Sequence, residues 1–136
     1  AKKVIIATGG VTYPQTGSSI DNYSLVDESK TKIKYGLSPL ITKEDLSAIA
    51  GITLNDVECS YKKSKVRGNV LISHVGLTGP GIIDLSSKIS KDMDYDILDN
   101  NYDLACEINI DLMPDFSREE LKNKLEKQIK KLNNQK

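Results

Sequence analysis

A glycine turn after a short apolar run is the first segment of this sequence whose composition suits ligand binding. Thr8-Gly9-Gly10 directly follows Val4-Ile5-Ile6-Ala7. Because glycine has no Cβ, such a turn lets the backbone approach a ligand closely, and loops at the carboxyl ends of strands are where α/β sheets bind cofactors. A Gly-Gly pair after a strand is more often a simple turn, so the pattern alone leaves both interpretations open.

A second glycine turn lies near the middle of the chain and follows the only histidine. Gly76, Gly79 and Gly81 surround Pro80 and lead into an apolar helical pattern. Free backbone N–H groups at a helix start can bind an anion, while a tight turn between a strand and a helix explains the same glycines equally well. His74 is a weak catalytic candidate, as a general acid or a hydrogen-bond partner of a ligand; a structural histidine bonded to nearby backbone is the commoner case.

Metal and nucleophile chemistry are not indicated by the sequence. A single histidine with no acidic residue at ligand spacing predicts no metal site, and no nucleophile stands beside a recognisable base. Cys59 and Cys106 lack a CxxC spacing, which is typical of a reduced, cytoplasmic protein. Both cysteines fall on the inward phase of predicted strands, so we expect them in the core.

The composition indicates a modest aliphatic core and no net charge. The 136 residues fit one ordinary domain; 38% of them are hydrophobic and 5% aromatic. The 19 Lys and Arg balance the 19 Asp and Glu, which argues against a dedicated nucleic-acid-binding or membrane-surface protein. No apolar run approaches the ~18–20 residues of a membrane span. We therefore expect neither a nucleic acid nor a membrane as partner.

The apolar run at residues 4–7 predicts a strand of a parallel sheet, but this sequence contains no pattern for its partner strands. A continuous apolar run is typical of a strand buried on both faces of a parallel sheet, and parallel strands need partners joined by crossover connections. No second run of this kind follows in the sequence. We therefore predict a piece of a larger protein that begins one strand inside another domain; the alternative is an edge strand of a self-contained small domain.

The middle of the chain, residues 31–112, predicts a small antiparallel barrel or sandwich. Its period-2 patterns are separated by turn residues, and a helical pattern interrupts them at 80–90. The clearest alternation is at 102–112. The predicted strands are 33–35, 57–61 with Val57, Cys59 and Tyr61 on one face, 69–73, and 102–112.

The last element that the sequence predicts is a helix, and its first turn carries a capping signature. Ser117 and Glu120 have the spacing of a capping box. An apolar stripe follows, and residues 117–136 contain seven Lys and Arg against three Glu. An anionic partner would explain that excess, but we favour a solvated helix face because acidic residues are interleaved. The stripe consists of Leu121, Leu125, Ile129 and Leu132.

Four segments resemble one family of bacterial flavoproteins. VIIATGGVTYPQTGSS at 4–19 and GNVLISHVGLTGPGIIDLSS at 68–87 are the specific ones, and LSAIAGITLNDVECSY at 46–61 and INIDLMPDFSREEL at 108–121 support them in order. The chain is similar to the insert-domain portion of the NAD(P)/FAD-dependent oxidoreductases of the BaiN/YhiN type, also described as aminoacetone-oxidase-like.

The resemblance implies a mainly β fold with α: a small antiparallel β-barrel insert, reductase/elongation-factor-like, plus helices, preceded by one strand of an α/β FAD domain. Residues 1–30 would be the end of the FAD-domain strand, the cofactor loop and a short helix. Residues 31–112 would be the barrel insert, and 113–136 the first helix of a helical subdomain. The parent would be an FAD-dependent oxidoreductase with an unknown small-molecule substrate, and this fragment would neither bind FAD nor catalyse without the remaining FAD domain.

The resemblance also implies positions for the cofactor. His74, Gly76, Gly79 and Pro80 match an insert loop that would face the flavin pocket. The sequence departs from the family on both sides of Asp21, where Ile20 and Asn22 replace glycines, and at Lys30-Thr31, where Gly-His is usual. The cofactor-binding residues carried over are Ala7, Thr8, Gly9, Gly10, Tyr13, Thr16, Gly17 and Asp21.

Two other classes of function stay open at this point. A stand-alone β-barrel binding module, for RNA or a protein, would need a basic patch interleaved with aromatic residues. The one lysine cluster beside an aromatic residue is Tyr61-Lys62-Lys63-Ser64-Lys65, which we interpret as a hairpin tip. A structural interaction domain is the third possibility.

Overall fold

A computed structural model describes residues 2–25, 32–97 and 103–133 of the chain. It divides the chain into two compact units, residues 1–32 and 33–136.

The larger unit is built on a five-stranded antiparallel sheet. The strands are β1 (Leu40–Ile41), β2 (Thr53–Tyr61), β3 (Ser64–Ser73), β4 (Gly76–Thr78) and β5 (Asn109–Asp111). Their order across the sheet is β1-β4-β3-β2-β5, and every neighbouring pair is antiparallel. With the helices described below, the sheet confirms the mainly β class with α that the sequence predicts.

The hairpin of β2 and β3 is the centre of the sheet. Val57, Cys59 and Tyr61 alternate along β2 and are all buried, as the period-2 pattern predicts. Tyr61 pairs with Ser64, so Lys62 and Lys63 form a two-residue turn. The predicted hairpin tip is therefore confirmed.

Helix α1 (Pro80–Asp92) covers one face of this sheet. Pro80 occupies the first turn, where its missing N–H is not needed. Ile82, Leu85 and Ile89 lie three and four residues apart, so they share one helix face, and all three are buried. The core cluster consists of these three residues with Val57, Cys59, Tyr61, Val70, Ile72 and Leu77.

Residues 33–38 are not a strand, which corrects the prediction for 33–35. Hydroxyl groups of α1 bind this segment instead: Ser86 Oγ accepts from the Ser38 N–H at 3.0 Å and Ser87 Oγ from the Leu37 N–H at 3.2 Å. The Tyr95 hydroxyl accepts from the Tyr35 N–H at 2.7 Å. Because these side chains satisfy backbone groups of the segment, it needs no neighbouring strand there.

The long alternation near residue 106 is also shorter in the structure than in the prediction. Only Asn109–Asp111 pairs with β2, and residues 103–108 form neither helix nor strand; residue 102 lies outside the described residues. Cys106 is consequently exposed, whereas Cys59 is fully buried. The prediction of a core position is confirmed for Cys59 and wrong for Cys106, because an alternating pattern forms a strand only where a partner strand is in register.

Helix α2 (Arg118–Asn133) begins with the predicted capping box. Glu120 Oε2 accepts from the Ser117 backbone N–H at 2.9 Å, and the Glu120 N–H donates to Ser117 Oγ at 3.3 Å. The bond from the Ser117 backbone lowers the pKa of Glu120. The contribution of this bond to stability is therefore complete above the unfolded-state pKa of about 4.3 and is lost as the pH falls through the lowered folded-state value.

Replacing Ser117 by Ala is expected to destabilise the first turn of α2 by about 1 kcal/mol, because one N–H at the helix start loses its acceptor. Since Leu125, Ile129 and Leu132 are all exposed, the loss should appear as fraying of residues 118–121, with the β2–β3 hairpin unaffected. Amide exchange resolved by residue measures it. Ser117→Thr, which keeps an acceptor oxygen, is the control, and equal protection in both variants would contradict the cap.

The smaller unit contains no strand in its described residues, 2–25. Residues 2–10 are exposed and form neither helix nor strand, with Val4 78% and Ile5 91% exposed. The predicted buried strand at 4–7 is therefore not formed here, because a parallel strand requires a hydrogen-bonded neighbour. Short 3-10 helices follow at Pro14–Thr16 and Ile20–Leu25. The sequence predicts a short helix before residue 30, and its part beyond residue 25 lies outside the described residues.

Candidate functional site

The Thr8-Gly9-Gly10 turn has the backbone geometry that its sequence suggests. Gly9 has a φ of +76°, a conformation that residues with a Cβ rarely adopt. No atom lies within 4 Å of the position that a Cβ would take at Gly9 or Gly10. Ala7 and the turn are exposed. The backbone of this turn is thus open to a ligand that approaches from outside the unit.

The loop after this turn is closed by its own hydrogen bonds. The Thr16 N–H and hydroxyl both donate to the Tyr13 carbonyl, at 2.9 and 2.8 Å, and the Ser18 hydroxyl donates to the Thr12 carbonyl. Tyr13 has a φ of 59° and Gly17 a φ of 90°. This loop brings Tyr13, Thr16 and Gly17 together, and the phenol ring of Tyr13 is exposed.

Asp21 lies at the start of the second 3-10 helix. Its N–H donates to Ser19 Oγ at 3.1 Å, and the Ser19 hydroxyl donates to Asp21 Oδ2 at 3.2 Å. Among residues 2–25, no hydrogen bond joins Asp21 to Ala7–Gly10 or to Tyr13–Gly17. The structure therefore gives two separate pieces of the predicted cofactor loop, both exposed.

The glycines of the second turn are required by packing against the protein's own backbone. A Cβ at Gly76 would lie 2.1 Å from the Leu40 carbonyl oxygen, and one at Gly79 would lie 2.8 Å from the Asn69 carbonyl oxygen. The contact at Gly81 is less tight, with its Cβ position 3.3 Å from the Gly68 carbonyl. These contacts favour the tight-turn interpretation over an anion site.

The helix start at this turn also has internal acceptors. The N–H groups of Ile82 and Ile83 both donate to the Gly79 carbonyl, at 3.1 and 2.9 Å. His74 lies in the two-residue loop between β3 and β4 and is exposed. Its imidazole has no hydrogen-bond partner in the part of the chain that the structure describes, so the structural role expected for most histidines is not seen there.

A guanidinium clamped between two carboxylates is a feature that the sequence did not reveal. Arg67 on β3 forms bidentate hydrogen bonds at 2.7–2.8 Å with the carboxylate of Asp56 and with that of Asp115. These bonds hold the pKa values of both carboxyl groups below their usual range. Asp56 sits in a β-bulge, with a φ of 54° and its N–H bonded to Asn69 Oδ1. The clamp fastens the segment before α2 to the sheet.

Sequence reasoning missed the clamp because its members are 11 and 48 residues apart. Only the register of β2 against β3, with its irregularity between Leu54 and Val57, brings Asp56 beside Arg67. No spacing rule along the chain would have identified it.

Two shallow clefts lie along the surface formed by the β2–β3 hairpin and α1. The larger, about 340 Å³, is lined by Leu37, Val66, Asp84, Ser87, Lys88 and Lys91. The smaller, about 220 Å³, is lined by Tyr61, Lys62, Lys63, Ser64 and Asp92. Lysine side chains border both clefts. Neither cleft includes a residue that the sequence analysis assigned to the cofactor.

Residues 2–25, 32–97 and 103–133 contain neither a candidate metal site nor a candidate membrane-spanning helix. In these ranges no group of three or more His, Cys, Asp or Glu side chains could hold a metal ion. None of the helices there combines the length and the apolar character needed to cross a bilayer.

The fold and its turns define an antiparallel barrel-type module with helical additions, and comparison with known proteins identifies its family. The model of the family described as "HI0933-like protein barrel and H2TH domain" matches residues 35–136. The chain belongs to this HI0933-like family, which confirms the resemblance to the BaiN/YhiN-type flavoproteins.

Two curated relatives carry the same name. The chain is 30% identical over 93 residues to the ribosomal RNA dihydrouridine synthase of Escherichia coli K12, covering 63% of this chain and 23% of that protein. It is 24% identical over 125 residues to the ribosomal RNA dihydrouridine synthase of Haemophilus influenzae Rd, covering 88% of this chain and 28% of that protein. The chain thus spans about a quarter of the length of these relatives.

Proposed function

We propose that this chain is the insert portion of an FAD-dependent oxidoreductase and that the remaining FAD domain of the same parent protein is its partner. The observation that carries the proposal is the family match over residues 35–136. The exposed apolar segment at 4–7, which has no partner strand in residues 2–25, supports it. A parallel sheet supplied by the parent's FAD domain would pair with this segment and cover it.

The residues present fit one edge of an FAD site. The turn at Gly9 is open and has a positive φ, so a flat or charged ligand can approach its backbone closely. The loop from Tyr13 to Gly17 offers an exposed phenol and the Thr16 hydroxyl oxygen, whose proton is donated to the Tyr13 carbonyl. In this proposal Ala7, Thr8, Gly9 and Gly10 lie against the cofactor, and Tyr13, Thr16, Gly17 and Asp21 flank it. FAD held there would supply a hydride to a substrate after a nicotinamide had reduced the flavin.

For the substrate we propose a uridine in ribosomal RNA, as the names of both curated relatives suggest. This differs from the small-molecule substrate that the family resemblance implies. It also differs from the lack of a nucleic-acid partner expected from a net charge of 0, because net charge does not report how charges are distributed over a surface. Conversion of uridine to dihydrouridine adds a hydride to C6 and a proton to C5, since the C4 carbonyl polarises the double bond. We place the protein in the cytoplasm, in keeping with its two free thiols.

A mass-spectrometric assay tests the proposal on the full-length protein. The purified parent should be yellow, and with a nicotinamide reductant it should add 2 Da to a uridine of ribosomal RNA from cells lacking the gene. The isolated chain should bind no FAD at micromolar concentrations, because most of the cofactor contacts would come from the rest of the FAD domain. A colourless parent protein would contradict its assignment as a flavoprotein. Quenching of FAD fluorescence by the isolated chain would contradict the proposal that FAD binding requires the rest of the FAD domain.

His74 is our candidate for a group that acts on the substrate from the β3–β4 loop, as a proton donor to C5. In the full-length protein, His74→Ala should retain FAD and reduce the rate of dihydrouridine formation by about 10²-fold, the usual effect of losing a general acid. Val75→Ala, a change in the same exposed loop, is the control and should keep the wild-type rate. Equal rates for the two variants would remove His74 from the mechanism.

A further inference from the structure

We propose that a surface of four lysines, formed where the β2–β3 hairpin meets the second half of α1, binds RNA phosphates. This inference rests on the proposed ribosomal RNA substrate and names the face of the module that would hold it. We call it the hairpin–helix lysine surface; its residues are Lys62, Lys63, Lys88 and Lys91.

Hydrogen bonds join the two halves of this surface. Lys88 Nζ on α1 donates to the Lys65 carbonyl on β3 at 2.8 Å. Lys62 at the hairpin turn forms an ion pair with Asp92, the neighbour of Lys91 in the last turn of α1. Residues that are more than twenty positions apart in sequence thus form one continuous cationic surface.

The surface keeps unneutralised positive charge. Lys63, Lys88 and Lys91 form no ion pair with any residue that the structure describes, while Lys62 pairs with Asp92. Two carboxylates that line the clefts, Asp84 and Asp92, stand against the four ammonium groups. The excess of two positive charges lies in a chain whose overall net charge is 0.

The shape and chemistry of the surface favour contacts to the nucleic acid backbone. Both clefts described above lie on it, and Ser87 and Ser64 add hydroxyl groups beside the lysines. Lysine and serine are common partners of phosphate and sugar oxygens. Tyr61 is buried and cannot serve as a base-stacking platform. The surface should therefore bind RNA with little dependence on base sequence and help to position it, leaving selection of the uridine to other parts of the protein.

The test uses the full-length protein and the double variant Lys63→Gln, Lys91→Gln, which removes the two ammonium groups that have neither an ion pair nor a hydrogen bond to any described residue. The matched control is Lys122→Gln, Lys127→Gln, which removes two exposed lysines from α2. Affinity for protein-free ribosomal RNA and for a 30-nucleotide RNA of mixed sequence is measured from 50 to 400 mM salt. Flavin absorbance and dihydrouridine formation are recorded for each protein.

Loss of two phosphate contacts should reduce the slope of log affinity against log salt concentration by about 1.4 to 1.8 for both RNAs. If the binding curves meet near 1 M salt, this corresponds to roughly 25- to 60-fold weaker binding at 0.1 M. Flavin content should stay unchanged in both variants. The α2 control should show less than half of the reduction in slope and in affinity.

The outcomes separate the surface from the proposed function. Suppose that the wild-type protein forms dihydrouridine. An unchanged slope in Lys63→Gln, Lys91→Gln, or an equal reduction of the slope in the α2 control, would then contradict RNA binding by the lysine surface but not the proposed function. A wild-type protein that forms no dihydrouridine but shows the lysine-dependent slope would overturn the substrate and keep the surface. A wild-type protein that binds neither RNA would overturn both.

Discussion

Replacing Gly9 by Val in the full-length protein is expected to abolish flavin retention while the barrel module stays folded. Gly9 has a φ of +76° in an open turn, and the proposed cofactor would occupy the open side. A branched side chain would project into that space and would also be strained at this φ, at a cost of about 1–3 kcal/mol. The ratio of flavin to protein absorbance after gel filtration measures retention, and circular dichroism measures folding.

The chain offers a matched control for the strain. Gly51 has a φ of +92°, also has no atom within 4 Å of its Cβ position, and precedes β2 in the other unit. Gly51→Val should therefore bear similar strain and keep its flavin. Normal flavin occupancy in Gly9→Val would break the link between this turn and the cofactor. Loss of flavin in both variants would show that backbone strain alone causes the loss and would give no evidence that Gly9 contacts the cofactor.

Replacing Gly76 by Ala is expected to be the most destabilising single substitution in the sheet. The added Cβ would lie 2.1 Å from the Leu40 carbonyl oxygen and 2.9 Å from both Ile41 Cα and Thr42 N. All three atoms belong to backbone, so relief requires separation of β1 from β4, which pair through Leu40–Leu77 and Ile41–Gly76. We expect a loss of about 3 kcal/mol or more in the free energy of unfolding.

Urea denaturation of the chain measures this loss, with Gly36→Ala as control. Gly36 has no atom within 4 Å of its Cβ position and no positive φ, so its replacement should change stability by less than about 0.5 kcal/mol. Exchange of the Thr42 N–H, which donates to the Val75 carbonyl, should accelerate in Gly76→Ala alone. A stable Gly76→Ala protein with a protected Thr42 amide would mean that β1 does not pair as described.

Local patterns in the sequence were sufficient where the physical cause is itself local. The capping box of Ser117 and Glu120 involves residues three positions apart, and the structure forms it as predicted. The hairpin around Lys62-Lys63 and the buried face of β2 follow from period-2 alternation on both sides of a short polar turn. The start of α1 follows from Pro80 and the apolar spacing after it.

Patterns failed where a partner strand had to be supplied from elsewhere in the molecule. The alternation near Cys106 predicts one long strand, yet only Asn109–Asp111 finds β2 in register. The period-2 pattern at Ile33 and Tyr35 predicts a strand, but hydroxyl groups of α1 and Tyr95 bind that segment instead. Alternation shows that a segment can be a strand, whereas hydrogen-bonding partners decide whether it becomes one.

The sequence by itself determined the family, the mainly β class and the residues of the two glycine turns. Only the tertiary structure decided between the two roles of the second turn, because whether Gly76 and Gly79 face a ligand or protein backbone depends on strands β1 and β3 that pack against them. It also brought Arg67 between Asp56 and Asp115, and brought the Lys88 ammonium group to the backbone carbonyl of Lys65 in the hairpin. Such contacts between distant residues depend on strand register and helix packing, which no local pattern encodes.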